Sequence, residues 1–313
     1  MSDQEIDTVI KTMLITRDEE KSSVYTLESF HSEYEAWAES EFSKKYCLSI
    51  NVAFKHCKEF WRSDKILSEI SVCDVKNLKA YLIKKAPKGY RVYLRTLKAA
   101  FNKALDWDYL KSNPFLKVKI NKYQKEMPFF IAPAELDLIL QKTQDKTHQD
   151  IFLFAFYTGC RLSEVVNLRW QNVDLENKRM LTIGDEHFLT KTRMQRKIPI
   201  HTKISQMLKD RYSERLIPPL PTDFVFCKNN GFPFTGEYIS KVFKKICRSL
   251  KIDEHVHFHT LRHSFASNLV QRGVPIYTLK DLLGHTSVKT TEIYAHNDDE
   301  TLYKAISAFD NAA

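Results

Sequence analysis

Hydrophobic positions recur at helical spacing through the first third of the chain. Residues 26–42 read TLESFHSEYEAWAESEF, in which four aromatic residues lie at mostly helical intervals: Phe30, Tyr34, Trp37 and Phe42. This pattern predicts a helix with one buried face, and Thr26, with Glu28 and Ser29 close behind it, is a candidate capping box at its start. Similar patterns predict three more helices, at residues 48–63, 74–86 and 90–107. We therefore expect a helical domain at residues 21–112, after an N-terminal tail at residues 1–20.

The pattern changes at residues 113–128, where Pro114, Pro128 and several lysines replace the helical periodicity. This segment is expected to be a basic linker. In the second predicted domain, residues 129–313, the segments MLTI and RKIPI read as short strands that flank a polar hairpin. The remaining patterns predict helices that start near residue 133, lie on both sides of the turn at Thr158–Gly159 and continue at about residues 236–250, 259–272, 276–283, 287–294 and 299–309. The expected fold class is mainly α with a small antiparallel β-sheet, in two domains.

The composition narrows the class of protein. Hydrophobic residues make up 43% of the 313 residues and there are only seven glycines, which excludes a fibrous or disordered chain. No apolar run is as long as a membrane span, and the acidic start MSDQEIDTVIKTML is unlike a signal peptide. The expected location is therefore the cytoplasm. The six cysteines are far apart and form no CxxC pair, so we expect free thiols.

The placement of charge indicates a polyanionic partner. The net charge is +9, and residues 84–125 contain twelve lysines and arginines but only two acids, Asp106 and Asp108. On the predicted helix at 90–107, a basic face lies beside the apolar stripe and consists of Lys88, Arg91, Arg95 and Lys98. A helix that is buried on one side and basic on another suits the phosphates of double-stranded DNA. A solvated face is the alternative, although such faces usually mix both signs of charge.

Four fragments of the second domain carry candidate chemistry. In TGCRLSEVVNLRW, Arg161 and Glu164 lie three residues apart on a predicted helix, either as an ordinary ion pair or as a phosphate-binding arginine that a carboxylate orients. In HFLTKTRMQRKIPI, Lys191 lies in the polar loop between the two strands. In HTLRHSFAS, His259 and Arg262 share one face of a helix. The fragment LGHTSVKTTEIYAH contains a histidine and, nine residues later, a tyrosine: His285 and Tyr294.

Together, and in this order, the four fragments resemble the tyrosine recombinase (phage integrase) family of Xer-like site-specific recombinases. The resemblance covers roughly residues 129–296, and the N-terminal helical region is similar to the family's core-DNA-binding domain in helix pattern and charge. It implies a two-domain enzyme that cleaves and rejoins DNA. Integration or excision of a mobile element and resolution of chromosome dimers all remain open as its purpose.

The resemblance also implies a role for each matching residue. Tyr294 would attack the scissile phosphodiester, which gives a 3′-phosphotyrosyl link and a free 5′-hydroxyl, while Arg161 and Arg262 would hold the non-bridging oxygens. Planar arginine forks suit the charge that such a transition state places on its oxygens. A tyrosine with its ordinary pKa of about 10 needs this cationic surrounding and a base.

Proton transfer and phosphate binding fall to the other matching residues. The resemblance implies that Lys191 protonates the leaving 5′-oxygen, that His259 takes part in proton transfer with the nucleophile and that His285 donates a hydrogen bond to the phosphate. Lys197 is the alternative to Lys191, because both lie in or beside the basic hairpin. Nothing in this chemistry requires a metal or another cofactor.

The histidine-rich stretch EHVHFHTLRHSFAS could instead suggest zinc. His255, His257 and His259 would alternate on a strand, or His259 and His263 would lie four apart on a helix. Such a site would lack an obvious cysteine or carboxylate ligand at standard spacing and would leave Arg262 without a role. We expect no metal, and we expect His255 and His257 to be surface or packing residues and His263 to pack within its helix.

Two alternatives share part of this reasoning. A type IB topoisomerase-like nicking and closing enzyme would use the same residues as a monomer, and a DNA-binding protein that has lost catalysis would not need the complete set. For the recombinase, the expected partners are double-stranded DNA with paired half-sites and further copies of the chain, in a tetramer on DNA. The last predicted helix has an apolar stripe that could dock on a neighbouring protomer: Leu302, Ala305, Ile306 and Phe309.

Overall fold

The structure is a computed structural model that describes residues 25–121, 128–182 and 196–294, together with residue 306. The chain divides into two compact units, Met1–Gln124 and Lys125–Ala313. The fold is mainly α-helical with a small antiparallel β-sheet in the second unit, as the sequence predicts.

The first unit is helical. Its α-helices in the described residues are α1 (Leu27–Glu41), α2 (Lys44–Trp61), α3 (Val72–Lys85) and α4 (Tyr90–Asp106). All four predicted helices are present, and α2 begins four residues earlier than expected. The predicted capping box of α1 is confirmed, since Thr26 and Ser29 exchange hydrogen bonds. Reciprocal bonds of this kind satisfy amide groups that the first helical turn leaves unpaired.

Aromatic side chains fill the core of the first unit. The ring of Phe30 on α1 lies edge-on to Phe54 on α2 and to Phe101 on α4, with centroid distances of 5.8 Å to each. Phe115 packs on the same cluster, 4.6 Å from the Phe101 ring. Phe115 belongs to a 3-10 turn, Pro114–Lys117, which falls within the segment expected to be a linker.

Helix α4 separates an apolar from a basic face, as its sequence predicts. The sequence predicts an apolar stripe of five residues, of which all but Leu105 are buried: Leu94, Leu97, Phe101, Ala104 and Leu105. Leu105 is half-buried, and Ala100 is buried beside the stripe. On the basic face Lys88 and Arg95 are exposed, whereas Arg91 and Lys98 are half-buried. The Nε of Arg91 donates to the carbonyl oxygen of Asn121 at 3.0 Å.

The second unit combines α-helices with a three-stranded sheet. Its α-helices in the described residues are α5 (Pro133–Lys142), α6 (Lys146–Thr158), α7 (Leu162–Val166), α8 (Thr202–Ser213), α9 (Gly236–Ser249), α10 (Phe258–Gln271) and α11 (Ile276–Leu283). The strands β1 (Val173–Asp174), β2 (Arg179–Thr182) and β3 (Arg196–Pro199) are antiparallel in the order β1-β2-β3. In the register of β2 and β3, Met180 pairs with Ile198, and both side chains are buried.

The core of this unit positions the helix that bears the histidines. Phe152 on α6 contacts Phe243 on α9 and Phe258 on α10 at ring distances of 5.1 Å and 6.1 Å. Leu261 on α10 is fully buried in the same cluster. These contacts fix α10 against α6, so the polar side chains of α10 lie beside the turn that follows α6.

The structure corrects several local predictions. Helix α7 has only five residues, and Arg161, which was expected to lie on the helix, is its N-cap. The helix expected at 287–294 is replaced by two 3-10 turns, Val288–Thr290 and Glu292–Tyr294. Serine and threonine side chains in this stretch bond to nearby polar groups, which competes with helix formation. Helix α8 was not predicted, and the helix expected at 299–309 lies outside the described residues except for Ile306.

Two further predictions concern the chain as a whole. All six cysteines are free thiols, as expected. Among the helices of the described residues, none is long and apolar enough to span a bilayer.

Candidate active site

A glycine with left-handed backbone conformation, Gly159, lies in the turn that positions Arg161. Gly159 is the C-cap residue of helix α6, and its φ of 63° favours glycine. A β-carbon there would lie 2.4 Å from Cδ1 of Phe265 on α10, so the close approach of α10 also requires glycine. The chain reverses direction here, and Arg161 becomes the N-cap of α7. Its backbone N and its Nη1 both donate to the carboxylate of Glu164, each at 2.8 Å.

Glu164 has a second partner that the sequence does not reveal. Nη1 and Nη2 of Arg196, the first residue of β3, donate to its two carboxylate oxygens at 3.0 Å and 2.8 Å. Burial raises the pKa of Glu164, but the paired guanidinium of Arg196 and the bonds from Arg161 outweigh it and lower the pKa to about 2. Glu164 is therefore a buried carboxylate that orients two arginines at once.

Three arginines converge on the end of helix α11. Their side chains donate to three consecutive carbonyl oxygens, Arg196 Nε to Leu282 at 3.0 Å, Arg262 Nη2 to Leu283 at 2.6 Å and Arg161 Nη2 to Gly284 at 3.2 Å. The C-terminus of a helix carries partial negative charge, which favours cations there. The arrangement gathers three positive charges around one turn of the chain.

Gly284 makes this convergence possible. It caps α11 with φ of 63°, and a β-carbon would lie 2.7 Å from Nη1 of Arg196. His285 follows directly, so the turn carries this histidine to the arginine cluster. Nδ1 of His285 lies 2.9 Å from the hydroxyl of the buried Thr291.

Arg262 is the most deeply buried of these cations, with 2% of its surface exposed. In addition to its bond to Leu283, Nη1 donates to the carbonyl oxygen of Gly159 at 2.7 Å. Burial and the neighbouring charge of Arg161 lower the pKa of Arg262 to about 10, so it still carries its charge at neutral pH. A buried cation in such a position stabilises an anionic ligand strongly, because little water screens it.

Partial burial and the cationic cluster together lower the pKa of His285. Partial burial, followed by the charges of Arg262 and Arg161, lowers the pKa of His285 to about 4. The imidazole is neutral at pH 7 and has one donor and one acceptor nitrogen. With Nδ1 beside Thr291, Nε2 is the nitrogen available to a ligand.

Tyr294 is buried, with 5% of its surface exposed, at the end of the second 3-10 turn. Its hydroxyl oxygen lies 2.6 Å from Nδ1 of His263. Burial raises the pKa of Tyr294 to about 12, against a smaller opposite effect of Arg262. His263, which was expected to be a helix-packing residue, therefore also contacts the candidate nucleophile, which the sequence did not indicate.

The other histidines of the cluster differ in their surroundings. His259 is exposed on α10, and its ring lies edge-on to that of His263 with centroids 4.7 Å apart. Partial desolvation of the ring and the nearby charges of His263 and Arg262 lower the pKa of His259. His255 and His257 are exposed, and His255 stacks on Phe129 at 4.8 Å, which agrees with surface or packing roles.

Lys191 lies outside the described residues, as do its neighbours at 183–195. Lys197 on β3 is exposed. Within the part of the chain that the structure describes, no group of three or more histidine, cysteine, aspartate or glutamate side chains is arranged to hold a metal ion.

The structure thus brings five of the expected residues to one region of the second unit: Arg161, His259, Arg262, His285 and Tyr294. Clusters of buried groups with strongly shifted pKa values are typical of functional sites. Buried arginines beside a neutral histidine suit an anionic group with several oxygens, and the phenol hydroxyl next to them could attack it.

Comparison with known proteins finds a family match in each of the two units of the chain. Residues 129–301 match the phage integrase family, and residues 26–120 match the phage integrase SAM-like domain. The tyrosine recombinase XerC of Oceanobacillus iheyensis is 28% identical over 313 residues, covering 96% of this chain and 93% of that protein. The tyrosine recombinase XerD of Lacticaseibacillus casei is 30% identical over 226 residues, covering 70% of this chain and 75% of that protein.

Solved structures share the fold. The Tn1549 transposon integrase in complex with a circular intermediate DNA is 20% identical, with a TM-score of 0.75 over 91% of this chain and 99% of that chain. The lambda integrase tetramer bound to a Holliday junction is 18% identical, with a TM-score of 0.71 over 90% of this chain and 85% of that chain. The family match spans more than half of the chain and includes all four sequence fragments, so the chain belongs to the phage integrase family of tyrosine recombinases.

Proposed function

We propose that this protein is a site-specific DNA recombinase in which Tyr294 attacks a phosphodiester that Arg161 and Arg262 hold. The observation that carries the proposal is the convergence of these two arginines on the turn before His285, while the helix of Arg262 also contacts the Tyr294 hydroxyl through His263. A phosphate that binds the arginines therefore lies close to the tyrosine.

The arginines supply the electrostatic part of the reaction. A phosphodiester transition state spreads negative charge over its non-bridging oxygens, and fixed guanidinium groups stabilise that charge without reorganising. Glu164 fixes the orientation of Arg161, and Arg196 holds Glu164 from its other side. His285, neutral at pH 7, donates a hydrogen bond to the phosphate through Nε2.

Bond making and bond breaking then balance. The Tyr294 oxygen forms a bond to phosphorus as the bond to the 5′-oxygen breaks, and Lys191 gives a proton to that oxygen, with Lys197 as the alternative donor. The products are a 3′-phosphotyrosyl link and a free 5′-hydroxyl. Because the link conserves the energy of the original bond, a 5′-hydroxyl from another strand can reverse the step and complete an exchange without ATP.

The first unit contributes affinity for the DNA backbone. Lys88 and Arg95 are exposed on α4, and Arg91 and Lys98 beside them are half-buried. These side chains bind phosphates and so add affinity that does not depend on the base sequence. The two units together bind one half-site of the duplex.

Recombination between two sites requires several protomers. Lambda integrase has been solved as a tetramer on a Holliday junction, and this chain assembles in the same number on two recombination sites. The segment after Tyr294 lies outside the described residues except for Ile306, and its sequence has the apolar stripe through which it would dock on a neighbouring protomer. Truncation after Asn297 should leave binding to one half-site intact but abolish cooperative binding to two, as measured by gel shift. Cooperative binding by the truncated chain would contradict this coupling role.

Covalent trapping on genomic DNA tests the function and finds the target. Lightly nicked DNA from the host genome is incubated with the protein and denatured, protein-linked fragments are collected on a filter, and their ends are sequenced. When a nick lies close to the cleavage position, the short fragment that carries the free 5′-hydroxyl dissociates from the duplex. Rejoining then stops, because it needs that hydroxyl. We expect linked ends at a few positions flanked by inverted repeats. Linked ends scattered over the genome would favour the topoisomerase-like alternative, and no linked DNA would refute cleavage by this protein.

A further inference from the structure

The candidate nucleophile makes a short polar contact with a residue to which the family resemblance assigns no role. Nδ1 of His263 lies 2.6 Å from the Tyr294 hydroxyl oxygen, a distance typical of a strong hydrogen bond. His263 follows Arg262 directly on α10 and lies four residues after His259, so it lies one helical turn from His259 on the same side of the helix. The contact joins residues 31 positions apart in the sequence.

The surroundings of His263 keep its imidazole neutral. The ring is half-buried, and burial, followed by nearby His257 and Arg262, lowers its pKa to about 4. Among the described residues, the titratable and charged groups that face it are Tyr294 from the 3-10 turn, His285 from the turn after α11, His259 and Arg262 on its own helix, and His257 just before that helix. A neutral imidazole with its proton on Nε2 accepts a hydrogen bond from the Tyr294 hydroxyl at Nδ1.

We propose that His263 is a catalytic residue that takes the proton of Tyr294 during attack. As the tyrosine oxygen bonds to phosphorus, its proton passes to Nδ1 of His263, which becomes an imidazolium. When a 5′-hydroxyl reverses the step, His263 returns that proton to the tyrosine oxygen. The inference rests on the proposed function and differs from the proton-transfer role that the family resemblance implies for His259.

The charges explain why transfer waits for DNA. With pKa values of about 12 for Tyr294 and about 4 for His263, the proton stays on the tyrosine in the free protein. A bound phosphodiester brings negative charge beside Arg262, and that charge stabilises an imidazolium at His263. As the bond to phosphorus forms, the tyrosine oxygen also becomes more acidic. The nucleophile is thus activated only when its substrate is in place.

The substitution His263→Asn separates hydrogen bonding from proton transfer. The Oδ1 of asparagine can accept the Tyr294 hydroxyl near the position of Nδ1, but an amide does not take up a proton at neutral pH. The variant is compared with wild type in single-turnover cleavage of a nicked duplex, with the sequence that genomic trapping recovers, between pH 5.5 and 9. Exposed His255→Asn is the matched control, because the His255 ring stacks on Phe129, and a thermal melt of each variant checks its fold.

We expect His263→Asn to bind the duplex like wild type but to cleave it more slowly by a factor of at least about 100, within the range for loss of a general base. Its rate should rise with pH by about tenfold per unit, because the tyrosine must now ionise without a base. A rate and pH profile within about threefold of wild type, or faster cleavage, would overturn the inference. Adduct formation by wild type keeps the proposed function intact in either case, whereas its absence would refute that function instead.

A second measurement reads the protonation of His263 in the wild-type protein. Nitrogen-15 NMR of the protein with labelled histidine, assigned by comparison with His263→Asn or with His263→Gln, reports which ring nitrogen carries the proton. We expect the proton of His263 on Nε2 at pH 7. A proton on Nδ1 would overturn the inference, because that nitrogen could not then accept the tyrosine hydroxyl.

Discussion

Glu164→Gln removes one charge from the centre of the arginine cluster and keeps the size of the side chain. Glu164 is buried, with 6% of its surface exposed, and accepts four described hydrogen bonds from Arg161 and Arg196. Two of these end on Oε2, from the backbone N of Arg161 and from Nη2 of Arg196. A glutamine amide has only one acceptor oxygen, so the variant loses the bonds to the other position.

Two estimates of the free energy of unfolding that Glu164→Gln loses agree. A hydrogen bond to a charged group contributes about 1.5–3 kcal/mol, so the loss of two bonds costs about 3 kcal/mol or more. The pKa of Glu164 is lowered from 4.5 to about 2, which corresponds to roughly 3 kcal/mol of stability. This contribution is present above the unfolded pKa of 4.5 and is lost as the pH falls through the folded value.

Fluorine-19 NMR can follow the second unit alone during urea unfolding. The chain has four tryptophans, and Trp170 is the one that belongs to the second unit, where it is buried. With 5-fluorotryptophan incorporated, the Trp170 resonance is assigned by the substitution Trp170→Phe. For a urea m-value of about 2 kcal/mol per M, the midpoint at pH 7 should fall by about 1.5 M in Glu164→Gln.

A matched control is Glu237→Gln on α9. Glu237 pairs with Lys241 at 2.6 Å, but both side chains are exposed, and exposed pairs contribute little. Its midpoint should equal that of wild type. If Glu164→Gln also unfolds like wild type at pH 7, Glu164 does not hold the two arginines together and the argument for its role fails.

Three further predictions follow from the structure. The pKa values of His263 and His285 are both lowered to about 4, so below the unfolded histidine pKa of about 6.5 the unfolded chain binds more protons than the folded chain does. The urea midpoint reported by Trp170 should therefore fall as the pH drops from 6.5 to 4, and a midpoint constant across that window would contradict these shifts. Cleavage by wild type should persist in EDTA, because arginines supply the positive charge at the phosphate; loss of cleavage that zinc or magnesium restores would refute this. Replacing Arg91 and Arg95 by alanine should flatten the slope of log affinity against log salt by about two, one for each lost phosphate contact; an unchanged slope would mean that this face of α4 points away from DNA.

Local patterns in the sequence suffice for much of the fold. The first four helices follow from apolar residues at helical spacing, and the capping box at Thr26 follows from residues three positions apart. The order of four short fragments predicts the family. Each of these signals depends on residues close in sequence, which periodicity and spacing describe well.

The contacts that organise the site span much longer separations. Arg196 reaches Glu164 across 32 positions and His263 reaches Tyr294 across 31, so tertiary packing decides both. The basic hairpin sequence gives no sign that Arg196 turns inward while Lys197 beside it stays exposed. Arg262 and His263 are consecutive on α10, so their side chains are expected to point to different faces of the helix. The sequence does not predict which groups they contact there.

Mass spectrometry of the trapped protein tests the central claim most directly. After nuclease treatment of the covalent complex, trypsin should release residues 290–304, a peptide that contains two tyrosines, Tyr294 and Tyr303. Fragmentation assigns the remaining nucleotide to one of them. The account predicts a nucleotide joined through its 3′-phosphate to Tyr294, and no linked DNA in Tyr294→Phe, which should still bind the duplex. A nucleotide on any other residue, or an undiminished adduct in Tyr294→Phe, would contradict it.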